Sequence, residues 1–101
     1  MRLKINPLAD NEAIESAKYY EQLQSGWGER FLQEFDAAVR RILDAPDRWP
    51  IREYGFRKYT MRGFSHTIRY TVLGDLLYVI AVPHSSQKPG YWKKRISDEQ
   101  R

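Results

Sequence analysis

The residues able to do chemistry in this 101-residue chain gather in its second half. The stretch "FRKYTMR" (56–62) carries Lys58, Thr60 and Arg62, and "HTIRYTVL" (66–73) carries His66 and Arg69. The closing stretch "HSSQKPGYWKKR" (84–95) adds His84, Gln87, Tyr91, Trp92, Lys93, Lys94 and Arg95. Cations interleaved with aromatics suit contact with something acidic, either nucleic acid or an acidic protein segment. The charge is unevenly spread in the same sense. Residues 1–50 hold seven Lys/Arg against nine Asp/Glu, net −2, while residues 51–101 hold ten against four, net +6.

Several chemistries are excluded by what is missing. With no cysteine there are no disulfides, thiolate metal sites or Cys nucleophiles. "SGWGE" (25–29) lacks the preceding strand and the Lys-Ser/Thr pair of a phosphate loop. His66 and His84 have no acidic neighbour at metal-ligand spacing. Ser85 and Ser86 lie too close to His84 in sequence to form a nucleophilic triad with it. The chain calls for no metal and no cofactor. Other roles stay open. Lys58, Thr60 and Arg62 form either a solvated edge-strand face or a binding surface. Arg69 is a cross-strand partner or an exposed cation. His84 is either a hydrogen-bonded strand-end residue or a base or recognition group. Tyr91 and Trp92 clasp the core or meet a partner.

The elements that must position these residues are readable from periodicity. "RLKI" alternates as a short strand, and Asn6-Pro7 then caps and opens a helix. From Leu8 to Gln24, Ile14, Ala17, Tyr19 or Tyr20, and Leu23 recur at helical spacing. "SGWG" breaks that helix, with Gly26 as a left-handed cap. A second helix runs to about Ala45, with Phe31, Leu32, Phe35, Ala38, Val39, Ile42 and Leu43 in one broad stripe. Pro46, Pro50 and Gly55 punctuate a loop, after which the period changes to two. "FRKYTMR" places Tyr59 and Met61 on one face, and "HTIRYTVL" is the next strand. Gly74-Asp75 makes a two-residue hairpin turn. "LLYVIAVP" is apolar on both faces, as a central strand is. The last residues form a short helix or tail.

The expected fold is therefore α+β, a helical hairpin on one face of a mostly antiparallel four-stranded sheet, in the order β-α-α-β-β-β. One domain over 1–101 fits this length. No stretch is long and apolar enough to span a bilayer, and no signal peptide is visible, so a cytoplasmic protein is expected.

Four phrases, in this order, resemble the ParE/RelE superfamily, the toxins of type II toxin–antitoxin modules often labelled plasmid-stabilisation proteins. "INPLADNEAIESAKYYEQLQSGWGERFLQEFDAAVRRILDAPDRWP" resembles its helical hairpin. "FRKYTMRGFSHTIRY" resembles its basic strand and following turn. "DLLYVIAVPH" is similar to its central strand ending in His, and "HSSQKPGYW" to its terminal signature. The likeness covers about residues 3–95. Two departures stand out: Gln87 where Arg is common, and Ser65-His66 where Pro-Tyr is usual.

The resemblance implies a cognate antitoxin as partner and one of two targets. RelE-like members cut mRNA on the ribosome, using cations to stabilise phosphorane charge and an aromatic to stack a base. Lys58 and Tyr91 match candidate positions of that set, with Arg62 beside them, but Thr60, Thr67 and Ser85 stand where further cations are expected. ParE-like members inhibit DNA gyrase by binding, and the "YW" ending and long hairpin resemble this branch more. The binding set it implies is Lys58, Arg62, Arg69, His84, Gln87, Tyr91, Trp92, Lys93, Lys94 and Arg95. A third reading is a degenerate, non-toxic member that only binds antitoxin.

Overall fold

The computed structural model describes residues 1–95. Its elements are β1 (Arg2–Ile5), α1 (Pro7–Leu23), α2 (Trp27–Asp44), β2 (Arg57–Thr60), β3 (Thr67–Leu73) and β4 (Leu76–Ala81). Two 3-10 turns, Pro46–Arg48 and Glu53–Gly55, lie in the connection between α2 and β2. The α+β order is as expected. The sheet runs β1-β4-β3-β2, with β1 parallel to β4 and the other two pairs antiparallel.

One residue makes the first corner. Asn6 accepts a hydrogen bond from the Leu8 N–H at 2.8 Å, capping α1, and its amide donates to the Tyr78 hydroxyl at 2.7 Å. Its backbone N–H donates to the Val79 carbonyl. The same side chain thus starts a helix and ties it to the central strand.

Of the expected inner face of α1, Ala17 and Tyr20 do meet the core, but the other expected residues do not. Ala9, Ala13 and Ala17 are buried, whereas Ile14, Tyr19 and Leu23 point outward at 41%, 57% and 59% exposure. Close helix packing is the reason. A Cβ on Gly28 of α2 would lie 2.6 Å from the Ala17 carbonyl oxygen, so only small residues fit along this seam. α2 supplies the bulk instead, through Phe31, Phe35, Ala38, Val39 and Ile42. Its stripe is as expected except that Leu32 is exposed. Gly26 is left-handed as expected, but it serves α2: it is the N-cap, and Glu21 of α1 accepts from the N–H groups of Gly26 and Gly28 in place of a capping side chain.

β4 is buried on both faces for two separate reasons. Leu77 and Val79 pack with Ile68, Tyr70 and the helices. Tyr78, Ile80 and Ala81 pack on the opposite face with Phe56 and Trp92. Strict alternation would put Ile80 and Ala81 on opposite faces. The register breaks here: Tyr70 pairs with Val79 and Arg69 with Ala81, leaving Ile80 as the extra residue of a bulge.

Two strand limits are shorter than expected. β2 ends at Thr60, leaving Arg62 in the following turn, and β3 starts at Thr67. His66 instead forms an isolated bridge with His84. Beyond β4, Lys93 N–H donates to the Gly90 carbonyl and Arg95 N–H to the Trp92 carbonyl, which makes the end of the described chain a tight turn. The rest of the expected terminal helix or tail lies outside the described residues. No described helix is long and apolar enough to cross a membrane.

Candidate functional site

Alternation along β3 puts Arg69 on the sheet face away from the helices, opposite Ile68 and Tyr70, and the bulge at Ile80 brings Ala81 across from it. There the guanidinium lies over the Trp92 ring, 5.7 Å from its centroid, and donates to Glu53 through Nη1 at 2.8 Å. Arg69 is only 9% exposed, so it is a buried cross-strand residue rather than an exposed cation. Its Nε–H is buried with no partner among the described residues. Such an orphan donor costs about 1–3 kcal/mol. Across the pair from β2 stands another cation, Lys58. Glu53 offsets that like-charge pairing, and its own backbone N–H and then Arg69 hold its carboxyl below the usual range.

These groups line a cavity of about 240 Å³ with Thr67, His84, Gln87 and Lys88. The loop that forms its rim is self-closed. Gln87 accepts from the His84 N–H at 2.8 Å and donates its own N–H to the His84 carbonyl. The His84 Nδ1 accepts from the Ser86 N–H, so the Ser86 hydroxyl donates to the same nitrogen at 2.7 Å. Gln87 therefore spends its side chain shaping the loop, a turn role that its neutral amide fills at short range.

Trp92 is 2% exposed and meets Phe56 and Tyr54 edge-on, so it clasps the far-face core. Gly90 makes that docking possible: a Cβ there would lie 2.5 Å from the Tyr54 ring. Tyr91 and Arg95 turn the other way, toward α1. Glu12 accepts from the Tyr91 hydroxyl at 2.6 Å, from both Arg95 Nη atoms at 3.0 and 3.1 Å, and from the Val82 N–H at 3.0 Å. Burial alone would raise the Glu12 carboxyl. The hydrogen bonds of Arg95, Tyr91 and Val82, with the Arg95 charge, outweigh it and hold the group low. Burial and then Glu12 push the Tyr91 phenol far up. Of the terminal cations, Lys93 and Lys94 are exposed, and Lys93 covers the Tyr54 ring.

The two histidines, distant in sequence, meet with ring centroids 5.0 Å apart beside a cavity of about 390 Å³. Ser16 donates to the Glu12 carbonyl, which leaves its oxygen to accept from His66 Nε2 at 3.1 Å. That assigns Nδ1 as the acceptor for the Tyr20 hydroxyl at 3.3 Å. Burial beside Phe31 and Tyr20, and then His84, push His66 down to about 4. Among the described residues no group of three His, Asp or Glu is placed to hold a metal ion.

The three sequence candidates for catalysis are not brought together. Lys58 lines the Arg69 cavity, the Tyr91 hydroxyl is bound to Glu12, and Arg62 lines a third hollow with Trp27, Arg30 and Phe64. Glu12, Glu34 and Glu53 were not singled out by sequence reasoning, yet each anchors a basic group. Glu34 takes Arg41, which also donates to the Tyr59 hydroxyl at 2.6 Å, and the Arg62 N–H. Acids on amphipathic helix faces carry no local mark of such partners.

A helical hairpin laid on this mixed sheet is the architecture of a known class of small proteins. A chain in a solved structure of the chromosomal ParDE TA system from P. aeruginosa matches with a TM-score of 0.72 at 18% identity, over 83% of this chain and 95% of that one. Its fold is shared. The sequence is more specific: residues 3–89 match the family of the ParE toxin of type II toxin-antitoxin system, parDE. The chain belongs to the ParE toxin family. No curated protein matches it.

Proposed function

We propose that this chain is the toxin of a type II toxin–antitoxin module in the cytoplasm, that it inhibits DNA gyrase by protein binding, and that a cognate antitoxin neutralises it. The observation that supports binding over RNA cleavage is the dispersal of Lys58, Arg62 and Tyr91 to three separate places. Phosphoryl chemistry depends on charges preorganised around one reacting group. In the free protein Arg69 and Arg95 each pair with a carboxylate of the chain rather than with one another around a reacting group, and the Tyr91 phenol is pushed up by burial and Glu12. Left facing outward near the cavity and tail are Lys58, Lys88, Lys93 and Lys94. They suit steering toward an acidic surface.

The test is induction of the chain alone, scoring growth, DNA-damage response and transcript integrity together. Growth arrest with a DNA-damage response supports gyrase inhibition. Translation arrest with cut transcripts would instead support a ribosome-dependent endoribonuclease, and normal growth a degenerate member. Co-expression with the adjacent small open reading frame should restore growth and yield a stable complex on pull-down.

A further inference from the structure

The cavity around Arg69 has a property that its role in packing does not explain. Arg69 is 9% exposed and its side chain 11%, Nη1 donates to Glu53, and the buried Nε–H has no partner among the described residues. A folded chain ordinarily satisfies a buried donor or lets water reach it. Lys58, Lys88 and Thr67 line the same cavity, so its charge is positive even with Glu53 counted. The side chain of Glu53 is 54% exposed and comes from a three-residue turn whose next residue, Tyr54, holds φ at 61°. Left-handed backbone at a tyrosine is a strained state that surrounding contacts must enforce. Those contacts are the Trp92 ring and Gly90, both from the terminal turn.

We propose that this cavity is a receptor for one carboxylate of an acidic segment on a partner protein, and that Glu53 is its built-in substitute. In the free protein Glu53 occupies the guanidinium. On binding, an incoming Asp or Glu side chain takes the Arg69 fork, adds Lys58 or Lys88, and Glu53 returns to water at little cost because it is already half solvated. Rotation of the guanidinium in this exchange gives the orphan Nε–H an acceptor, and two parallel N–H donors match a carboxylate's geometry. The occupant is a carboxylate rather than a nucleotide for two reasons. The resident ligand is itself a carboxylate at 2.8 Å, and Trp92 is sealed at 2% exposure, which leaves no platform on this wall for a base to stack on. This deepens the protein-binding reading by naming the group recognised, and its test does not depend on toxicity.

The probe is a capped hexapeptide of alternating Glu and Ser, titrated into the full chain while the Arg69 Nε–H resonance is followed by NMR. Arg69→Lys, which keeps the charge and removes that N–H, identifies the resonance and should abolish saturable binding. Glu53→Gln should tighten the peptide about tenfold by removing the internal competitor. Lys58→Gln should weaken it several-fold. A Gln-for-Glu peptide should not bind. The proposal is overturned if Glu53→Gln leaves the peptide affinity unchanged, if the Gln peptide binds as well, or if inorganic phosphate binds as tightly as the peptide.

Discussion

Replacing Glu12 by Gln should loosen the terminal turn from the rest of the protein. The carboxylate accepts four hydrogen bonds from three places: two from Arg95, one from Tyr91 and one from the Val82 N–H. A glutamine of the same shape has one acceptor oxygen, and its NH₂ would face donors on Arg95. Removing one partner of a fully buried ion pair costs about 3–5 kcal/mol, whereas exposed pairs are worth about 0–1. With the two side chains 14% and 19% exposed, the Glu12–Arg95 pair lies nearer the buried limit. Allowing for the remaining solvent screening gives a loss of about 2–3 kcal/mol. In a domain of this size that lowers Tm by roughly 10–20 °C. Urea unfolding and thermal melts of the two proteins measure it directly. A pH series then identifies the cause. Because the folded Glu12 is held below its ordinary 4.5, its stabilisation is fully present above that value and fades as pH falls through the lower folded one. The stability gap between the two proteins should be flat from neutral pH down to about 4.5 and shrink below it. A gap under about 1 kcal/mol, or one that persists unchanged to pH 3, would refute the argument.

Three further outcomes follow from the rest of the structure. Trp92→Ala should cost about 3–5 kcal/mol because the ring fills the far-face core, whereas Lys93→Gln with Lys94→Gln should leave Tm within a few degrees yet weaken target binding. If the double lysine variant keeps full toxicity, those cations do not face the target. His66 is depressed from 6.5 to about 4, so the unfolded chain takes up the proton first and stability falls as pH drops across that window, by about 2–3 kcal/mol. His66→Phe should flatten the loss between pH 6.5 and 4 in urea titrations, and an unchanged slope would remove His66 as its source.

What the sequence made legible divides along a physical line. Asn6-Pro7, the Gly74-Asp75 turn and the doubly apolar β4 follow local rules of capping, turn chemistry and burial, and each stands where those rules put it. The bulge at Ile80 carries no Gly or Pro signal, so nothing local showed that Ile80 and Ala81 share a face; the side of β3 that carries Arg69 follows from alternation, but its burial against Trp92 does not. On α1 the helical period finds Ala17 and Tyr20, but hydrophobicity also favours Ile14 and Leu23, while the close approach of two backbones at Gly28 favours alanine.

The same division governs the candidate site. Its cations were visible as residue types, but their roles depend on acids far along the chain. Arg69 meets Glu53 across 16 residues and Arg95 meets Glu12 across 83. Until those pairings are known, every arginine of the basic half counts equally toward a binding surface. Once they are known, Arg95 becomes a fastener for the terminal turn, while Arg69 becomes a guanidinium held ready by a displaceable neighbour. Lys88, Lys93 and Lys94 are left as exposed charge. A net charge of +6 in the second half of the sequence therefore overstates the free positive surface, because Glu12, from the acidic half, neutralises Arg95 within the basic one.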